Sequence, residues 1–358
     1  MSKELFTVPW DARSDQPDRI NDRALRRRLR RGAWGDYLKT ALTAAGVLPI
    51  SALHYLGLAA SGRFAAAERP WRDILGIAVS PTPERARLHD TLAELGAQHF
   101  EVRMPCWERD QFDDIAAFIA ELPGKVLVVV CQDRTSVCDH AQWQADLEAI
   151  YGVLPDNVEA VQIGNATNRL KWGCTSIGEY LELLSIADDI HRTHAAGRLL
   201  LGSSVIDFEP LATIRSLFNG QRFQLDATAA LLYVDRRGPP GNRQYLWFNT
   251  ARKIRYTAAL VAASRRSRNR LWLTEVNWPL AGHGRYAPTA SELCVDEDSA
   301  AAYLREYCEI ARRVALVERV YVWQLVARGY GLIDPADDGS WRRRPAFAML
   351  QQLLNTSE

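Results

Sequence analysis

From about residue 72 onward, short apolar runs alternate with longer segments in which apolar residues return every three or four positions. Eight runs have the length and aliphatic content of strands: 73–80 (DILGIAVS), 99–107 (HFEVRMPCW), 125–133 (KVLVVVCQD), 160–167 (AVQIGNAT), 198–207 (RLLLGSSVID), 223–235 (FQLDATAALLYVD), 270–279 (RLWLTEVNWP) and 319–327 (RVYVWQLVA). Near-continuous apolar runs mark strands covered on both faces, as in parallel sheets. The segments between them, such as PERARLHDTLAELG and DSAAAYLREYCEIARRVAL, carry the amphipathic period of helices. Strand followed by helix, repeated through the chain, predicts a (β/α)8 TIM barrel over residues 72–358. A doubly wound open sheet is the competing arrangement. It is disfavoured because PTPER, and no glycine-rich turn, follows the first strand.

Residues 1–71 fall outside this repeat and read as a basic, helical N-terminal extension. Between Arg19 and Arg31 the text is RINDRALRRRLRR, followed by the apolar stretch DYLKTALTAAGVLPISALHYLGLAA. Two arrangements fit: a solvated helix packed beside the barrel, or peripheral association with a membrane, arginines among anionic headgroups and the Leu/Ala face in the acyl boundary. Pro49, His54 and several Gly and Ser residues make the stretch a poor bilayer span. The opening MSKELFTVPWD lacks the pattern of a secretory signal, so a cytoplasmic location is expected, with the inner face of a membrane as the place of any association.

Composition narrows the function classes. The chain has 358 residues and a net charge of +1, which supplies no electrostatic ground for a nucleic-acid partner. Six scattered cysteines without a C-x-x-C pair or a nearby histidine at ligand spacing read as thiols in a reducing compartment. Neither a metal nor an organic cofactor is expected.

In a (β/α)8 barrel the active site forms at the carboxyl ends of the strands. The polar or aromatic residues ending apolar runs here include Arg103, Asp133, Asn165, Asp207, Tyr233, Asp235, Glu275, Trp278, Trp323 and Gln324. Glu275 is the strongest signal, because a carboxylate following Leu-Trp-Leu is half buried and therefore either paired, with Arg103 for instance, or functional.

These residues carry a resemblance to the clan A retaining glycoside hydrolases. The seventh run, with T-E-x-x-W at 274–278, is similar to the strand whose Glu is the nucleophile of that clan. Arg103 ends the second run, G-N-x-x-N at 164–168 the fourth, Tyr233 the sixth and Trp323 the eighth, each matching the clan in order. Family 39 is the most similar, through LLYVDRRG and the closing GLID and RRRPAFAML, and the likeness extends over roughly residues 72–350. The resemblance implies a carbohydrate-active protein with a saccharide or glycoconjugate substrate, as in polysaccharide or lipopolysaccharide metabolism. Glu275 would be the nucleophile, Arg103 and Tyr233 would orient it, and Asn165 would bond the sugar 2-hydroxyl. Trp323 would form the sugar platform and Trp278 an aromatic wall.

One position departs from the clan. Its acid/base Glu follows the Asn of G-N-E-P-N, but here the text is GNATN, with Ala166 in that place. Thr167 also replaces the proline, which one engineered substitution would not produce, so the difference reads as natural. A retaining glycosidase needs two carboxyl groups about 5–5.5 Å apart. Three outcomes are open: a surrogate acid among Asp207, Asp235, Glu108 and His283; a phosphate-activated donor whose leaving group Arg169 and Lys171 would neutralise; or a saccharide-binding pseudo-enzyme without turnover.

Overall fold

The computed structural model describes residues 3–65, 69–195 and 197–356 of the chain. Eight parallel strands, β1 (Leu75–Ala78), β2 (His99–Pro105), β3 (Lys125–Cys131), β4 (Val158–Ile163), β5 (Leu199–Ile206), β6 (Ala227–Leu231), β7 (Leu271–Val276) and β8 (Val317–Val322), close into a barrel in chain order. The last seam joins Val322 of β8 to Ile77 of β1. The (β/α)8 expectation is met, and each strand lies within two residues of its apolar run or inside it.

Period-two alternation divides each strand between two cores. On β3, Val126, Val128 and Val130 face the surrounding helices. Leu127, Val129 and Cys131 fill the barrel interior with Leu201, Ala229, Trp272 and Tyr321. A fully enclosed strand therefore reads as an unbroken apolar run while its side chains serve two separate clusters.

Register shifts interrupt the barrel ladder at four points, and two of them lie toward the carboxyl ends of their strands. Between β7 and β8, Leu273 pairs with Val320 and Val276 with Val322, so Thr274 and Glu275 together face the single residue Tyr321. This β-bulge changes which way Glu275 points. Strict alternation would place it with Leu273 on the helix-facing side, and the extra residue turns it toward the barrel mouth. A second irregularity on β5 falls at Ser203 and Ser204, both with left-handed φ, at 78° and 50°.

The N-terminal extension is helical only in part. Helices α1 (Arg23–Gly32) and α2 (Trp34–Ala60) are preceded by an extended segment with a short antiparallel ladder, Trp10–Asp11 against Gln16–Pro17. Pro9 and Pro17 disfavour helix there, and the segment makes its bonds to the barrel instead. Lys3 Nζ donates to the Val137 carbonyl at 2.9 Å and to Glu182 at 2.7 Å, and Arg134 donates to the Glu4 carbonyl at 2.7 Å. The Trp10 ring sits 5.3 Å from Trp107 and 5.9 Å from Trp172. The segment thereby crosses the carboxyl-terminal mouth of the barrel.

Helix α2 runs unbroken through Pro49, and although the sequence reads as a poor bilayer span, by length and composition the helix is long and apolar enough to cross a membrane. Its buried residues Ala44, Val47, Ser51 and Leu58 form a stripe against the barrel helices Pro210–Leu217 and Thr250–Ala263.

Strand β1 tolerates only glycine at position 76, where a Cβ would collide with the ring of the fully buried Tyr321. Gly76→Ala is expected to lower the unfolding free energy by about 1–3 kcal/mol, the usual cost of overpacking, as measured by urea denaturation.

Candidate active site

Strand ends bring the site together. Glu275, turned inward by the bulge, is bonded on both carboxylate oxygens: Arg103 Nη2 donates to Oε2 at 2.9 Å, and the Tyr233 hydroxyl donates to Oε1. Burial, reinforced by the neighbouring Glu275 charge, pushes Tyr233 well above its ordinary value, so it remains an O–H donor. Arg103 lies over the Trp323 ring, 3.5 Å from its centroid. The face on which a sugar would stack thus carries the guanidinium in this structure.

A further carboxylate enters from outside the repeat. Asp15, in the segment that crosses the mouth, accepts from Arg103 Nη1 at 3.3 Å, and its backbone carbonyl accepts from the same nitrogen at 3.1 Å. Burial raises the Asp15 carboxyl to about 6, against the opposing pull of Arg103 and with a smaller push from Glu275. Its side chain keeps 29% of its surface accessible, so the group is crowded but open to the cleft. Burial draws Arg103 down, yet Asp15 and Glu275 more than offset this and hold the guanidinium above its usual value. One turn of the pleat below Arg103, Glu101 is enclosed in the barrel, and burial holds its carboxyl well above the carboxylate range despite Arg103.

These groups line a cleft of about 310 Å³ that also contains Asn165, Arg169, Lys171, Trp172, Asp207, Arg237 and Asn277. The backbone of Asn165 is clamped by Gln132, which accepts from its amide at 2.9 Å and donates to its carbonyl at 3.0 Å. Its carboxamide makes no hydrogen bond to the described residues. Arg169 is bonded to both Asp207 and Glu209, so most of its charge is already balanced. Lys171 donates to Gln16 Oε1 and, at 3.2 Å, to the Pro17 carbonyl. Burial lowers it to about 8, with Glu275 opposing the shift.

Ala166 is wholly enclosed and has a left-handed φ of 45°, packing with Trp172 and Tyr233. Of the residues expected at the site, Arg103, Asn165, Arg169, Lys171, Tyr233, Glu275 and Trp323 meet in this cleft. Trp278 does not. Its ring packs on Tyr303 and Tyr307 while its indole N–H donates to the Gly238 carbonyl at 3.0 Å, because the chain turns outward after the bulge.

The surrogate acids proposed from sequence separate likewise. Asp207 lines the cleft but is paired with Arg169 and Arg237. Glu108 and Asp235 lie outside the lining. His283 gathers with Glu297 and Asp334 within 4.8 Å, a spacing that could hold a metal. Arg342 and Arg344 bond both carboxylates, which makes the cluster an ion-pair network. Sequence reasoning missed Asp15 altogether, since nothing periodic marks it. It also missed Glu101, although the parity shared with Arg103 on β2 pointed inward.

The Arg103 network makes graded predictions for its members. Arg103→Met leaves Glu275 and Asp15 facing each other without a cation and is expected to cost about 3–5 kcal/mol. Tyr233→Phe removes one charge-assisted bond, at about 1.5–3 kcal/mol. Urea denaturation of each variant at neutral pH checks the order.

No protein-family model matches the chain, and no curated protein matches it. Solved structures do. A monomeric β-xylosidase from Caulobacter crescentus aligns at TM-score 0.58 and 15% identity, covering 82% of this chain and 70% of that one. A GH5_18 protein from Streptomyces cattleya, solved in complex with GlcNAc, aligns at TM-score 0.54 and 18% identity, covering 80% of each chain. A family 1 β-glucosidase from Thermotoga maritima aligns at TM-score 0.55 and 9% identity, covering 82% of this chain and 100% of that one. At such identities the likeness is one of fold: this chain shares the (β/α)8 architecture of the glycoside hydrolases to which its strand-end residues led.

Proposed function

We propose that the protein is a carbohydrate-active enzyme that cleaves or transfers a glycosyl group through Glu275. The observation that carries this reading is the carboxylate itself, lifted out of strand alternation by a bulge and held in one orientation by donors on β2 and just past the end of β6. That is the arrangement a nucleophile needs to attack an anomeric carbon from a fixed direction. The free carboxamide of Asn165 faces the same cleft and supplies hydrogen bonds to sugar hydroxyls.

Protonation of the leaving oxygen falls to Asp15. It binds the guanidinium nitrogen adjacent to the one that holds Glu275, lines the same cleft, and titrates at about 6, where a proton is both present and transferable near neutrality. In the first step Glu275 forms a bond to the anomeric carbon as the glycosidic C–O bond breaks and Asp15 gives its proton to the departing oxygen. In the second, the Asp15 carboxylate takes a proton from water or an acceptor hydroxyl, whose oxygen displaces Glu275. Ala166 has no part in either step.

A second reading rests on charge. Five cations line the cleft (Arg19, Arg103, Arg169, Lys171 and Arg237) against three anions (Asp15, Asp207 and Glu275), and with Glu209, which pairs with Arg169 from outside the lining, the excess is one positive charge. Such a cleft suits a donor whose leaving group is a phosphate, which departs without protonation.

A panel of aryl glycosides with good and poor leaving groups, together with glycosyl phosphates, separates these readings. Glu275→Gln is expected to lower turnover of every donor by roughly a thousandfold or more. Asp15→Asn is expected to slow poor leaving groups by about 10²–10⁴ and to spare activated ones. With the native chain, turnover of poor leaving groups falls as pH rises through about 6, because the Asp15 proton is lost. Glu275-dependent turnover of phosphates alone, indifferent to Asp15→Asn, would establish the second reading. Saccharide binding without turnover of any donor would overturn both and leave a binding protein.

A further inference from the structure

Helix α2 presents to solvent a face with no polar side chain along its crest. Trp34, Leu38, Leu42, Leu53 and Leu56 are between 52% and 69% exposed. At about 100° per residue they fall in one sector, opposite the buried stripe of Ala44, Val47, Ser51 and Leu58. Ala45, Pro49 and Ala60 fill the rest of that sector. The helix has 27 residues, roughly 40 Å of continuous apolar surface. Soluble monomers rarely leave such a surface uncovered.

The face cannot turn inward. Its far side is fastened to the barrel by the Asp36–Arg215 ion pair at 2.8 Å, by the Gly178 amide donating to Asp36 at 2.8 Å, and by the Ser51 and Tyr256 hydroxyls at 3.1 Å.

Positive charge surrounds the crest. Helix α1 contains six arginines in ten residues and is seated by its one buried residue, Leu29. Arg28 pairs with Glu4. Arg23, Arg26, Arg27, Arg30 and Arg31 form no ion pair among the described residues. A second basic group, Arg265 and Arg266, lines the same cavity as Ile50 and His54 on the flank of α2.

We propose that this surface docks on an anionic lipid bilayer, with α2 lying in the interfacial plane. Trp34 and the leucines would enter the acyl boundary while the α1 arginines, with Arg265 and Arg266, meet the lipid phosphates. The excess of positive charge beside the apolar crest disfavours a second copy and complements anionic headgroups. Spanning the bilayer would require stripping α2 from the barrel, breaking the Asp36–Arg215 pair and exposing Val47 and Leu58. The docking is independent of the chemistry at Glu275.

The test uses the full chain and needs no turnover: cosedimentation with vesicles of phosphatidylcholine containing phosphatidylglycerol, compared with phosphatidylcholine alone. Binding is expected to the anionic vesicles, weakening by about tenfold as salt is raised to roughly 0.5 M. Leu42→Glu with Leu53→Glu is expected to reduce it about tenfold or more, as is the triple change Arg26→Gln, Arg27→Gln and Arg30→Gln. All five positions lie on the exposed or half-exposed side, and unchanged melting temperatures of the variants would verify their folding. Alkaline carbonate should release the bound protein. Equal binding to neutral and anionic vesicles, or no binding, would overturn the proposal. So would resistance to carbonate, which marks a span, or a lipid-free dimer that the Leu42→Glu and Leu53→Glu pair dissociates without loss of vesicle binding.

Discussion

The guanidinium of Arg103 is the group on which the site depends. A cation at the mouth of a closed barrel loses most of its hydration, and only neighbouring anions and a polarizable face can replace it. Glu275 supplies one anion from β7 and Asp15 another from the N-terminal segment, while the Trp323 ring supplies the face from the loop after β8. Meeting the needs of one charge therefore ties together three separate parts of the chain. The same bonds fix the direction of Glu275, so the interactions that neutralise a buried cation also orient a carboxylate at the barrel mouth.

The extension before the barrel has two distinct roles in this arrangement. Its extended segment reaches across the mouth and delivers Asp15 and Gln16 into the cleft, anchored by Trp10 between Trp107 and Trp172. Its helices sit on the outer wall, α2 against two barrel helices and α1 exposing arginines beyond it. The cleft at the mouth and the apolar crest on the flank are thus connected through one continuous piece of chain. A barrel lacking these residues would lose Asp15 from the cleft as well as the apolar crest.

Much of this was legible in the sequence. Enclosed parallel strands produce long apolar runs, and a polar residue at the end of such a run has few places to go except the mouth. Arg103, Asn165, Tyr233, Glu275 and Trp323 could therefore be placed there without coordinates. Glu101 was equally accessible to that reasoning, since it shares the inward parity of Arg103. Trp278 was misplaced because parity along a strand ceases to apply once the chain turns.

What the sequence determined by itself was the barrel, the order of its strands and most of the residues at its mouth, because these follow from the period of apolar positions along the chain. Tertiary structure alone decided how those residues act together. The bulge that aims Glu275 exists only as a mismatch of register between β7 and β8. Asp15 reaches Arg103 from 88 residues away, drawn by a buried charge rather than by any local pattern. The balancing of Arg169 by Asp207 and Glu209, and the outward crest of α2, likewise arise from what folding brings close, and no periodicity encodes that.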